Sequence, residues 1–577
     1  MEAIALPERH ARQFVPADFT VTTWAAVQPL YDQLLAWSPT TYHDYLDWLA
    51  ACDELQAVLQ EDLGWRYIRM SRATDDGEAR AAYAYFLEHI SPKAQPLDQA
   101  LRKRLYESPF RQKLDPERYG ILLRSVGAAL ELYRDENVPL LAELGVKAQQ
   151  YGAITGAMTV AYEGQTLTLQ QAARLLERPD RSLREHIWRA IGDRRLADAE
   201  RLDGLFSELL ELRGRVAHNA GFASYTDYKF QELGRFDYGR EACLAFHEAI
   251  AEAVVPFVDE LYRHRQARLG VAELRPWDLA VDLLDERPLE PFDTPEALVA
   301  RTQALLAELD PELGAALPTL AAMGHLDLGS RVGKAPGGYN SPLYETGVPF
   351  IFMNAVGSQR DVTTLVHETG HAVHSLVTRD LPYLQDKDTP SEVAELASMS
   401  LELLSMDGWG RFYPDPADLR RAQLQEIVGT VTILPWIATV DAFQFWLYDH
   451  PGHTPADRRA AWLEIYGRFA GQVVRRDGLE AYEAYLWQRQ LHLYEVPFYY
   501  IEYGIAQLGA LQIWRRYLTE DPRTAVEDYL AALRLGYTQP IGAVYGRAGV
   551  RFDFSGPLLQ ELMAFVRQEI TARGYFA

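Results

Sequence analysis

The residues of this chain whose types and spacing best suit chemistry are His367-Glu368-Thr369-Gly370-His371. On an α-helix, positions four apart lie on one face about one turn apart, so both imidazoles reach a single ion. Glu368 follows His367 by one step and can stand beside a metal-activated water as its general base. Catalytic zinc takes three protein ligands and leaves one position for water, so a third donor is expected nearby. The stretch Thr389 to Ser398 offers Glu392 and Glu395. Thr389-Pro390-Ser391-Glu392 has the form of a capping box with proline at the first helical position, which would occupy Glu392 and leave Glu395 for the metal.

Two further residues extend this group. Glu402 falls seven positions after Glu395, two turns along the same helical face, and is a candidate to orient a ligand histidine; the alternative is a solvated glutamate. His374 continues the histidine line, but with His367, His371 and Glu395 the protein share of a zinc site is full, so a supporting or packing role is expected.

These side chains need elements to hold them. Val362, Leu365, Val366, Thr369, Ala372, Val373 and Leu376 form a mostly apolar stripe distinct from the histidine line, which predicts a helix with one face for packing and one for binding. Gly370 inside that helix costs about 1 kcal/mol relative to alanine, so a close backbone approach is expected there. Apolar residues recur three and four apart from about Tyr42 to Val146, from Leu169 to Phe230 and through most of the C-terminal third, so the chain reads as mainly α. Ile154 to Leu169 reads as a β-hairpin around a Glu-Gly turn. Gly338 to Asn354 reads as short extended runs just before the metal motif, and Gly347 to Asn354 has the character of a sheet edge that a peptide could join as an added strand; an ordinary buried strand is the alternative. A soft domain boundary is placed near residue 190, giving an N-terminal helical domain over 1–190 and a catalytic domain over 191–577.

The composition is that of a folded globular protein, with 48% hydrophobic and 24% charged residues. With 57 Lys+Arg against 81 Asp+Glu the formal charge is -24, which disfavours nucleic acid and anionic lipid as partners. Cys52 and Cys243 are the chain's two cysteines, so no disulfide framework holds the fold and a reducing, cytoplasmic location is expected. The N-terminal segment lacks the build of a signal peptide, and no uninterrupted apolar run of bilayer length is evident.

HETGHAVHSL followed by AELASMSLELL resembles the HE-x-GH-x-x-H and E-x-x-S-x-x-LE pattern of the thimet oligopeptidase and oligoendopeptidase F family of zinc metallopeptidases. Further similarity lies in Val216 to Phe222 with Tyr225 and Tyr228, in Arg275 to Leu279, in Gly333 to Tyr339, and in Pro497 to Tyr503, so that the resemblance covers roughly residues 150 to 560. It implies a large, elongated helical metallopeptidase fold with a deep central channel and a small β-sheet next to the zinc helix. It implies one zinc ion per chain and hydrolysis of internal bonds in short unstructured peptides, with no statement on oligomeric state. It also implies a tyrosine and histidine cluster that stabilises the oxyanion and grips the substrate, matched here by His492, Tyr499 and Tyr503, while Gly338 and Tyr339 are candidates for substrate contact. Two other readings stay open: an exopeptidase of the dipeptidyl carboxypeptidase kind, and a catalytically silent peptide-binding protein of the same fold.

Overall fold

The computed structural model describes residues 6–7, 9–283, 288–331, 333–335 and 337–576. Pro336 of the glycine-rich stretch and the first five residues of the N-terminal segment lie outside them. The chain is mainly helical, as its periodicity predicts, with two small sheets. It divides into two compact units, each assembled from separate stretches: 1–130, 289–422 and 509–552 form one, and 131–288, 423–508 and 553–577 form the other.

In the first unit, Thr41 accepts from the Asp44 amide to start the long helix Tyr42–Arg72. Tyr45, Trp48, Leu55 and Val58 of that helix are buried with Val27, Leu30, Tyr31 and Leu34 of the preceding one in a single apolar cluster. The unit also holds a three-stranded sheet of β3 (Leu326–Gly329), β4 (Tyr339–Ser341) and β5 (Phe350–Ala355), in the order β3-β5-β4. Strand β5 pairs parallel with β3 and antiparallel with β4. It is therefore the central strand and not an edge, which corrects the expectation of a peptide pairing along Gly347 to Asn354. The physical reason is burial: every residue of β5 except Asn354 is buried, and a continuous apolar run of this kind suits a strand covered on both faces.

In the second unit, β1 (Thr159–Tyr162) and β2 (Gln165–Thr168) form the expected hairpin, with Thr159 opposite Thr168 and Tyr162 opposite Gln165. Its two-residue loop has Glu163 at φ 48° and Gly164 at φ 76°, the left-handed pair that matches the twist of a tight hairpin. The strands are shorter than the sequence suggests, because Ile154 ends a helix, Asn137–Gly156, rather than starting a strand. The core of this unit gathers Phe206, Leu209, Val440, Phe443, Trp462, Trp487 and Tyr494.

Residues 416–449 are long and apolar enough to cross a membrane by composition, although Glu426 and Asp441 interrupt the apolar run; most of the most apolar window is buried within the protein, as in the core helix of a globular chain.

Candidate metal centre

Strand β5 leads into the motif helix, Gln359–Thr378. Ser358 and Asp361 form a reciprocal capping box, and the Asp361 carboxylate also accepts from the Val356 amide at 2.9 Å, which fixes the direction in which the helix leaves the sheet. Val362, Leu365, Val366, Thr369, Ala372 and Val373 are buried, as the apolar stripe predicts. On the other line, the rings of His367 and His371 stand edge to face with centroids 4.8 Å apart, and their Nε2 atoms are 3.2 Å apart.

The third donor comes from the helix Ser391–Ser405. Glu395 Oε2 lies 3.4 Å from His367 Nε2 and 3.9 Å from His371 Nε2. One ligand atom from each of His367, His371 and Glu395 lies within 4.8 Å of the other two. The capping box expected at Thr389 is absent: Pro390 is the N-cap residue, with an extended ψ of 151° and no side-chain cap bond, so the helix starts one residue later than the motif suggests. Glu392 is buried on the helix and its carbonyl accepts from the Tyr545 hydroxyl at 2.9 Å.

The two helices cross at Gly370. A Cβ there would lie 2.5 Å from the Ser398 Cα and 2.9 Å from the Ala397 carbonyl oxygen, so only glycine lets them approach closely enough for Glu395 to meet the histidines. The Ser398 hydroxyl lies 3.1 Å from the Glu395 carbonyl oxygen and 3.2 Å from Glu395 Oε2, so its proton is shared between the two acceptors. Glu402 Oε1 lies 2.5 Å from His367 Nδ1, which leaves Nε2 as the nitrogen that faces Glu395 and His371.

The electrostatics of the group favour one positive charge at its centre. Burial alone pushes the His367 imidazole down, but the Glu402 hydrogen bond and the charges of Glu402 and Glu395 outweigh it and bring it up to about 10. Burial and the neighbouring His367 charge hold His371 well below the ordinary histidine range, so it presents a free lone pair. Two imidazoles and one carboxylate oxygen are the donor set of catalytic zinc, so the residues fit that ion. Burial, with the Glu395 and Glu402 charges, pushes Glu368 up to about 7.

The other sequence candidates take distinct places. His374 is buried against the helix Pro522–Leu533, is held near 4 by burial, and is not part of the converging donor group. Tyr339 stacks on Phe352 at 4.7 Å and shares a 2.6 Å hydrogen bond with Ser71 of the helix Tyr42–Arg72. A Cβ on Gly338 would sit 3.3 Å from the Phe352 carbonyl oxygen, a close approach between this segment and β5. Its neighbour Asn340, which sequence reasoning missed, donates to the Glu368 carbonyl at 3.2 Å and ties β4 to the motif helix.

Within the second unit, His492, Tyr499 and Tyr503 are brought together: the His492 ring is 5.8 Å from each phenol ring, and the two tyrosines are 5.3 Å apart. They do not share a helical face, as their four-residue spacing suggests, because the helix begins at Ile501 and Tyr499 precedes it. The turn before it places Phe498 at φ 67°, in the left-handed region that non-glycine residues avoid. Arg235 donates to the Phe498 carbonyl and pairs with Glu502 at 2.8 Å, while Gln444 accepts from the Phe498 amide at 2.5 Å. Tyr500 and Gln490 were missed. Tyr500 is nearest to His492 at 4.8 Å, and Gln490 Nε2 lies 2.6 Å from His492 Nδ1; nothing in their spacing marks them. Burial holds His492 near 4, so its imidazole is neutral at neutral pH.

Comparison with known proteins adds an independent line. The chain is 26% identical over 230 residues to an oligoendopeptidase F homolog of Lactococcus lactis subsp. lactis, covering 34% of this chain and 37% of that protein. It is 24% identical over 394 residues to the oligopeptidase PepF of Bacillus subtilis, covering 61% of this chain and 56% of that one. The aligned stretches thus span between about a third and just over half of these relatives. A solved structure of PZ peptidase A with an inhibitor superimposes with a TM-score of 0.90 at 25% identity, over 98% of this chain and all of that one. The model of the peptidase M3 N-terminal domain matches residues 14–133. The model of peptidase family M3 itself matches residues 174–564, a stretch that holds both the converging donor group and the His492 segment, and the chain belongs to that family.

Proposed function

We propose that this protein is a zinc-dependent oligopeptidase that hydrolyses internal bonds of short, unstructured peptides. The observation that carries this reading is the convergence of His367, His371 and Glu395 on one point, with Glu368 on the same helix. The three residues would hold one zinc ion per chain. Bound there, zinc supplies Lewis acidity, lowering the pKa of water toward about 7 and polarising a carbonyl oxygen. The Glu368 carboxylate takes the proton of the attacking water and returns it to the leaving amine nitrogen, a task that its place beside His367 on the motif helix suits. Glu402 keeps the proton of His367 on Nδ1, and Ser398 shares its hydroxyl proton with the Glu395 carboxylate.

Two assignments concern the substrate. His492, Tyr499 and Tyr503, joined by Tyr500, are the neutral donors we assign to the peptide backbone, each such donor contributing about 3 kcal/mol to holding developing charge. Strand β4 takes the place of β5 as the strand a peptide joins, because it is an outer strand among the described residues and its Asn340 reaches the motif helix. Cys52 and Cys243, neither of them in a disulfide, belong with a reducing, cytoplasmic setting.

The test is Glu368→Gln, which keeps shape and removes basicity. Zinc content stays at one per chain, and cleavage of a quenched fluorescent oligopeptide falls by about 100-fold or more. A zinc-loaded variant that cleaves as fast as the parent refutes the assignment of the base, and a parent with no zinc and no internal cleavage refutes the reading as a whole.

A further inference from the structure

The second compact unit contains a cavity of about 310 Å³. Its apolar wall comes from Leu169, Leu176, Trp188, Ile191 and Leu486. Tyr482 closes one side, packing so tightly on the helix Arg181–Leu196 that a Cβ on Gly192 would sit 2.6 Å from its ring. Its hydroxyl is committed to Asp193 at 2.7 Å, and its ring meets Trp188 edge-on at 5.3 Å. No aspartate or glutamate lines the cavity.

Two cations do line it: Arg195 and Arg489. Among the described residues, neither guanidinium makes a hydrogen bond or an ion pair. Arg195 is half-buried and Arg489 exposed, which sets them apart from the buried arginines of the same unit. Arg184 is bound to Asp278, Arg458 to Asp203, and Arg235 to Glu502. Partial burial lowers the pKa of Arg195, and the charge of Arg489 lowers it further. Two like charges facing one apolar cavity with no protein counter-ion leave a place for an anion. The apolar wall asks that this anion carry an apolar body, which excludes free phosphate or sulfate as the best occupant.

The surroundings of Arg489 indicate the source of the anion. Its guanidinium lies 4.0 Å above the Trp436 ring, and the Trp436 indole donates to Gln490 Oε1 at 2.9 Å. Gln490 in turn holds His492, whose ring is 4.8 Å from Tyr500. Arg489 therefore links the cavity lining to the cluster assigned to the peptide backbone through Trp436 and Gln490. We propose that the cavity takes the C-terminal carboxylate and the apolar last side chain of a short peptide, with Arg195 and Arg489 holding the carboxylate between them. This inference rests on the oligopeptidase reading and adds a requirement for a free peptide C-terminus.

The experiment uses matched short peptides ending in leucine, one a free acid and one a C-terminal amide, with the zinc-loaded full chain. Amidation is expected to raise KM about tenfold or more with little change in kcat, the size of one lost charge-assisted contact. In a variant carrying Arg195→Gln and Arg489→Gln, the acid-to-amide ratio is expected to collapse toward one. Because neither guanidinium has a hydrogen-bond or acidic partner, that variant should lose only the Arg489 stack on Trp436 and melt close to the parent. Ala173→Trp, which fills the cavity, should raise KM more for peptides ending in leucine than for those ending in glycine. Calorimetric binding of both peptides to the Glu368→Gln protein gives the same comparison without turnover. If the parent cleaves neither peptide, the oligopeptidase reading fails, while binding of the acid over the amide still upholds the cavity. Equal KM and equal binding for acid and amide overturn this proposal alone, as does an acid preference that survives in the double variant. Displacement of a cavity probe by dodecanoate but not by the peptide acid overturns it in favour of a free fatty acid.

Discussion

The donor group around His367 and the cluster around His492 are built in opposite ways. At the first, three ligands project from two regular helices, and their meeting depends on one glycine at the crossing. At the second, a histidine and three tyrosines meet across an irregular segment whose turn carries Phe498 in the left-handed region. That turn is held from outside by Arg235 and Gln444, which stand far off in the chain. Regular helices convert spacing directly into geometry, whereas a strained turn needs remote side chains to hold it against a cost of about 1–3 kcal/mol.

The largest expected effect breaks the second region. Arg235→Met removes a buried cation that pairs with Glu502 and holds the Phe498 carbonyl. Loss of one partner of such a buried pair costs about 3–5 kcal/mol, read as a fall in the urea midpoint. A change below about 1 kcal/mol would show that the turn does not depend on this clamp. Gly370→Ala attacks the first region. Backbone atoms block the added methyl, so the helices must part; overpacking costs about 1–3 kcal/mol. Zinc retention should fall with stability, since parting the helices separates Glu395 from the histidines. A fully zinc-loaded Gly370→Ala protein of parental stability would contradict the crossing geometry.

These differences also explain what could be read from the sequence. The motif helix and its apolar stripe were legible because they follow from helical periodicity, and the close approach at Gly370 because glycine inside a helix is costly without one. Glu395 was legible as a member of the converging donor group although the capping argument that favoured it over Glu392 does not hold; the helix starts at Ser391 with no side-chain cap. The central position of β5 was hidden because its partner β3 is only four residues long and its run of apolar residues does not reveal which neighbours it has. Tyr500, Gln490 and Asn340 were hidden for another reason. Their roles come from contacts across turns and between elements, which carry no period in the sequence.

Two smaller changes sharpen the comparison within the regular site. Glu402→Gln keeps a hydrogen-bond acceptor for His367 but removes its charge, and loss of such a supporting carboxylate typically weakens metal binding by about 10–100-fold. Competition with a chromophoric chelator measures it, and zinc affinity equal to that of the parent would reduce Glu402 to a passive neighbour. Ser398→Ala should do least. It deletes the 3.2 Å hydrogen bond to Glu395 Oε2, but the helix still aims Glu395 at the histidines and the packing around Gly370 loses no atom that it needs. A neutral donor of this kind is worth about 0.5–1.5 kcal/mol, so zinc affinity should fall by about tenfold at most. The order Glu402→Gln above Ser398→Ala follows from charge: one variant removes a negative charge beside the cation, the other a dipole. If Ser398→Ala proved the more damaging, the rotamer of Glu395 and not the field around His367 would limit metal binding, and helix geometry alone would be too weak an account of this site.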